Sequence, residues 1–238
     1  MATGTDVAVE TFDLATNGRR ELNARLHALA GRDDPRPARW RVLNPSGAHA
    51  LAVGLDAPVE VEIEGHVGYY CAGMNKQATV RVKGNAGVGL AENMMSGTVI
   101  VEGNTSQSAG ATGRGGLLVV EGDASARCGI SMKGIDIVVR GDVGHMAGFM
   151  AQKGRLVVCG DAGEALGDSI YETHVYVRGT VAGLGADCIE KELREHHVAE
   201  LRDLLERAGV TDADPSEFRR YGSARQLYNF HIDNAGAY

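Results

Sequence analysis

From Val61 to Gly179 the chain repeats one short apolar–polar pattern every 19 residues, and each copy is closed by a glycine: Gly65, Gly84, Gly103, Gly122, Gly141, Gly160 and Gly179. Four residues before these glycines stand Val61, Val80, Val99, Leu118, Ile137, Leu156 and Val175; two before stand Ile63, Val82, Val101, Val120, Val139, Val158 and Val177. Residues two apart on a strand share a face, so each copy predicts one strand with two inward aliphatic side chains and a turn at the glycine. Two residues after the turn, Val67, Ala86, Thr105, Ala124, Val143, Ala162 and Val181 are small enough to point inward too. Seven after it, Ala72, Ala91, Gly110, Gly129, Gly148, Gly167 and Ala186 predict a second corner, bent against a neighbour that leaves no room for a larger side chain.

One strand and one corner in 19 residues leave no space for a helix within the repeat. The pattern predicts an all-β fold, a parallel β-helix (solenoid) of about seven 19-residue coils. Leucine-rich repeats need a longer period and a signature that is absent, and a hexapeptide helix needs a period divisible by six. Parallel crossovers make the solenoid right-handed. No coil can bury its apolar face alone, so the coils must share one core.

An open solenoid must protect its ends. The N-terminal cap, residues 1–39, is read as a strand from Val7 to Leu14 and a helix from Arg19 to Ala30 with Leu22, Leu26 and Leu29 on one face. The β-helix occupies 40–187, with an irregular first coil running from Trp40 to Pro58. Beyond it, Asp187 and Glu190 suggest a capping box, and Ile189, Leu193, Leu201, Leu204 and Leu205 an apolar stripe, predicting a helix over 188–208. The tail of this C-terminal segment, 188–238, is aromatic: Phe218, Tyr221, Tyr228, Phe230 and Tyr238 suggest docking on this chain or on a partner.

Composition narrows the function. Glycine makes up 33 of 238 residues, about 14 per cent against an ordinary 7 per cent, but five prolines and 44% hydrophobic residues exclude collagen and disorder. A net charge of −7 without a basic stripe argues against nucleic acid. Cys71, Cys128, Cys159 and Cys188 form no C-x-x-C pair and read as reduced thiols. Cys71 and Cys128 hold the same position three coils apart, roughly 14 Å along the stack, too far for a disulfide. Neither a leader peptide nor a membrane span is signalled, so the cytoplasm is the expected compartment.

No catalytic, cofactor-binding or metal-binding residue emerges. Gly87 and Gly89 in GNAGVGLAE belong to the repeat, and GxxxxGK[ST] and GxSxG are absent. Asp123, Asp142 and Asp161 follow the glycines of three successive coils, as Asn85 and Asn104 do in earlier ones. Turn preference explains them better than a cation ladder, since calcium takes six or more oxygens. His196 and His197 are adjacent on a helix and cannot both face one metal.

Two features suggest contact surfaces. Three residues before each glycine, on the outer face, stand Glu62, Arg81, Ile100, Val119, Val138, Val157 and Tyr176; the run Ile100, Val119, Val138, Val157 needs a cover, either a terminal segment or a partner subunit. Met74, Met94, Met95, Met132 and Met150 lie nine to eleven residues after a glycine, where filling corners is favoured over an adaptable interface. The candidate partner interface is therefore Ile100, Val119, Val138 and Val157 with Tyr228 and Phe230.

YYCAGMN (69–75), AENMMSGTVIVEGN (91–104), GATGRGGLLVVEGD (110–123), CGISMKGIDIVVRG (128–141) and CGDAGEALGDSIYE (159–172) resemble, in order, period and corner glycines, the glycine-repeat (GXGXG) β-helix domain that ends the large subunit of glutamate synthase. The resemblance covers roughly residues 40–190. It implies a stand-alone β-helix subunit, most similar to that of N-methylglutamate synthase, beside a glutamine-amidotransferase-like subunit and a synthase subunit carrying FMN and an iron–sulfur cluster. In that family the β-helix contributes no nucleophile or cofactor ligand. Glutamate synthase proper and formylmethanofuran dehydrogenase or formyltransferase/hydrolase complexes use a similar helix. A carbohydrate-active β-helix enzyme would need charged groups clustered on an outer strand face, which the aliphatic column does not offer.

Overall fold

The computed structural model describes residues 8–31 and 38–226. An eleven-stranded sheet runs the length of the protein, and its first nine strands are parallel neighbours in chain order, a parallel β-solenoid of about seven repeat turns. Strand β1 (Val9–Asp13), helix α1 (Arg19–His27) and strand β2 (Ala38–Leu43) come first. β3 (Val59–Ile63), β4 (Thr79–Val82), β5 (Thr98–Val101), β6 (Leu117–Val120), β7 (Lys133–Val139), β8 (Lys153–Val158) and β9 (His174–Val177) carry the repeat. The 19-residue period is the register itself: Val61, Val80, Val99, Leu118, Ile137, Leu156 and Val175 pair one to the next.

Identical register makes identical positions stack, so each inward column becomes a buried file of side chains. Both aliphatic columns are fully buried, as is a third that the sequence reading passed over, Cys71, Leu90, Ala109, Cys128, Ala147 and Leu166, six residues after the first six turn glycines. The small residues two after the glycine form a second, narrow ladder of single bridges from Val67 through Val181. Among the methionines, Met94 and Met132 fill the core, whereas Met74, Met95 and Met150 lie exposed.

The turn half of the coil departs further from expectation. In six successive coils the residues five, seven and nine after the glycine are left-handed, with φ of 52° to 71°, from Tyr70, Ala72 and Met74 to Ala165, Gly167 and Ser169. Each non-glycine there costs about 1–2 kcal/mol. Hydrogen bonds directed alternately to the next and the preceding coil offset it: Tyr70 N–H donates to Val88 O at 2.8 Å, Ala72 N–H to Leu51 O at 2.9 Å, and Met74 N–H to Glu92 O at 2.7 Å. Tyr70, Met74 and Arg127 are equally left-handed and carry large side chains, so the Gly/Ala column is restricted by space. At Gly110 a β-carbon would approach Ile137 Cδ1 to 2.6 Å. Ala186 breaks the series, because the left-handed residue of the last coil is Asp187.

At the N-terminal end, β1 and β2 continue the same sheet, and Phe12, Leu22, Leu26 and Trp40 join the central core. Helix α1 lies over the first coil, where Asn23 Nδ2 donates to Ala50 O at 2.8 Å. At the other end the predicted helix over 188–208 is corrected. Residues Cys188–Lys191 form strand β10, and helix α2 is confined to Glu195–Arg207. The reason is tertiary: β10 pairs antiparallel with β11 (Arg219–Ser223), which itself pairs antiparallel with β9 and closes the stack. Asp187 caps no helix; its carboxylate accepts from Ser223 Oγ and from Gln226 N. Ile189 faces outward, 42% exposed. Among the described residues no helix is long and apolar enough to cross a membrane.

Candidate functional site

The outer apolar column is covered by the chain itself. Helix α2 lays Leu201, Leu204 and Leu205 across β6–β9, and Ala208, Val210 and Phe218 extend the cover over Leu117, Val119, Val138, Val157 and Tyr176. Val119, Val138 and Val157 are 0–2% exposed, each burial contributing about 1.5–3 kcal/mol, so these three are not a free partner surface. Only Ile100, at the edge, remains partly open. Of the two covers weighed from the sequence, the terminal segment is the one present. Tyr228 and Phe230 lie outside the described residues.

Polar groups seat the helix beside this apolar seam. The Glu200 carboxylate accepts from Tyr176 Oη at 2.6 Å and lies 2.9 Å from His174 Nδ1. Burial would raise its pKa, but those hydrogen bonds, with the His174 and Arg155 charges, hold it below the usual value. Burial, then Glu200, pushes the Tyr176 phenol well above its ordinary value. Arg155 forms a two-pronged pair with Asp136, Nε to Oδ1 at 2.7 Å, and Arg207 from α2 comes within 3.5 Å of the same carboxylate. Buried His197 accepts the Arg194 N–H through Nδ1 at 3.2 Å. Burial first, then the nearby Arg220 charge, pushes its pKa down to about 4, so the ring is neutral at pH 7. The sequence reading missed this cluster, although Asp136, Arg155 and His174 sit 19 residues apart in one column. Opposite charges stacked at the repeat period were the available signal.

The asparagine and aspartate column after the turn glycines has a geometric role. Each side-chain Oδ1 accepts the backbone N–H of the equivalent residue one coil on: Asn85 from Asn104 at 2.9 Å, Asn104 from Asp123 at 2.8 Å, Asp123 from Asp142 at 2.9 Å, Asp142 from Asp161 at 2.7 Å, and Asp161 from Thr180 at 2.7 Å. His66 Nδ1 starts the file by accepting from Asn85 N at 2.9 Å. These bonds pass directly over the turn glycines. A β-carbon at Gly103, Gly122, Gly141, Gly160 or Gly179 would overlap the Oδ1 of the preceding coil. Apart from Gly65, the turn glycines are not left-handed, so they are required for space rather than for φ. The carboxylates are engaged by the backbone, and among the described residues no group of three or more His, Cys, Asp or Glu is placed to hold a metal ion.

All four cysteines are free and buried. Burial pushes the Cys71, Cys128 and Cys188 thiols up to about 12 and Cys159 to about 11, which removes them as nucleophiles at neutral pH.

No family model matches the chain. It is 63% identical to Protein GlxC of Rhizobium meliloti (strain 1021) over 228 residues, 95% of this chain and 99% of that one. An identity of that level along nearly the whole of both chains shows that this β-solenoid belongs to the family of Protein GlxC.

Proposed function

We propose that this chain is the structural β-helix subunit of N-methylglutamate synthase, the complex that joins methylamine to L-glutamate to give N-methyl-L-glutamate and ammonia. In this reading its partners are a glutamine-amidotransferase-like subunit and a synthase subunit that binds FMN and an iron–sulfur cluster. The chain itself contributes no catalytic group. The observation that carries the proposal is the coil stack, whose order and period resemble the β-helix of glutamate synthase. Its inward columns are filled with apolar side chains and its turn carboxylates are tied to backbone, an arrangement suited to a rigid spacer between catalytic units. The near full-length identity to Protein GlxC supports one conserved design for the whole chain.

Co-expression of the chain with the two partner subunits, followed by size-exclusion chromatography and assay, tests this. A heteromeric complex should form and convert methylamine and L-glutamate to N-methyl-L-glutamate with release of ammonia. Elution of the chain alone, with neither partner retained, overturns the reading. A complex that instead makes glutamate from glutamine and 2-oxoglutarate assigns the chain to glutamate synthase proper. Replacing Tyr228 and Phe230 together by alanine should weaken partner retention if the aromatic tail contributes to docking.

A further inference from the structure

Strands β10 and β11, with the segment leading into β9, border an open cleft of about 460 Å³ at the closed end of the solenoid. Three cations line it: Lys191 from β10, Arg220 from β11 and Arg225 just beyond, with His174 at the start of β9. Glu172 is the one carboxylate among its described lining residues. None of the three cations has a carboxylate partner within 4 Å among the described residues, and Arg220 Nε donates to the Glu192 carbonyl at 3.0 Å.

Two of them, Lys191 and Arg220, border a hollow at Gly222. A β-carbon at Gly222 would stand 3.8 Å from Lys191 Cγ, 3.8 Å from Thr173 O and 4.0 Å from Arg220 Nη1. Gly222 is not left-handed, so the backbone does not require glycine there; its missing side chain leaves the floor of the cleft open. Thr173, on the adjoining wall, is 1% exposed and turns its carbonyl oxygen toward Gly222. Burial holds the Arg220 guanidinium below its ordinary pKa, against the pull of Tyr176, Glu200 and Glu192.

We propose that this cleft is a binding site for a small oxyanion, a carboxylate or a phosphate, held between Lys191, Arg220 and Arg225 above Gly222. Planar guanidinium groups match both anions in two-pronged geometry, and the lysine adds a mobile point charge. The concave shape and volume suit a small organic acid or phosphate ester. The proposal is independent of the scaffold reading, because it concerns only this chain.

Isothermal titration of the full-length chain at constant ionic strength tests it, with inorganic phosphate in one arm and glutarate, a five-carbon dicarboxylate, in the other. One saturable site per chain is expected, and the tighter of the two probes identifies the anion class. Lys191→Gln and Arg225→Gln should each weaken binding about tenfold. Gly222→Ala, which alters no charge and places a methyl group in ordinary contact on the cleft floor, should weaken it comparably while circular dichroism stays unchanged. Lys133→Gln, the same charge change at an exposed strand position, should leave binding as it is. The absence of saturation by both probes, or unchanged affinity in the Lys191→Gln/Arg225→Gln double variant, would overturn the proposal.

Discussion

Asp123 Oδ1 accepts the backbone N–H of Asp142 at 2.9 Å, and it does so across the space a side chain on Gly141 would fill. Two columns that look unrelated in sequence, the turn glycines and the Asn/Asp residues after them, are therefore one device. Gly141→Ala should break the ladder at that coil and cost about 2 kcal/mol or more, because a bond is lost and the backbone must shift. Asp123→Asn should be close to neutral, since Asn85 and Asn104 make the same bond, and Asp123→Ala should cost about 1 kcal/mol. Urea unfolding midpoints of the three variants check the order.

Helix α2 is the cover for the outer apolar seam. Leu204→Ala should destabilise the protein by about 2–5 kcal/mol, the range for a fully buried leucine. It should also make the segment after Lys191 cleavable by trypsin before the coils are. Cleavage within the coils first would mean that α2 is not held chiefly by this seam.

His197 introduces a pH dependence of definite sign. Its pKa is lowered from 6.5 to about 4 in the folded chain, so between those values the unfolded chain binds the extra proton. Stability is therefore full above pH 6.5, falls as the pH drops toward 4, and loses nothing more from this group below that. The loss is ~3 kcal/mol in order of magnitude. His197→Gln should flatten the slope of stability between pH 6.5 and 4, as read from unfolding curves at several pH values.

The thiols give a simple test of core integrity. At pH 8 the folded chain should not react with a disulfide reagent, because all four cysteines are buried and their thiolates disfavoured. After denaturation four thiols per chain should react. Fast reaction of Cys71 or Cys128 in the native protein would contradict the coil phase derived from the repeat.

The coil register is legible in the sequence because it rests on a local rule applied many times. Side chains two apart share a face, and a slip of one residue would expose every valine of a column, so the 19-residue period leaves one self-consistent stacking. Cys71 and Cys128 were separable on the same grounds. Readings that depended on what lies across the fold fared differently. Cys188–Lys191 carries helix-like periodicity, yet it is a strand because β11 offers it backbone partners. Val119, Val138 and Val157 required a cover, but the choice between α2 and a second protein depends on where residues 195–208 return in space. Tyr70 and Arg127 carry no mark of left-handed backbone, a conformation maintained by hydrogen bonds to neighbouring coils. Periodic burial is written along the chain, since each residue's face follows from its nearest neighbours. The helix cover, the cation cleft and the reason for the turn glycines arise from groups that meet only once the coils are stacked, and no local pattern encodes such a meeting.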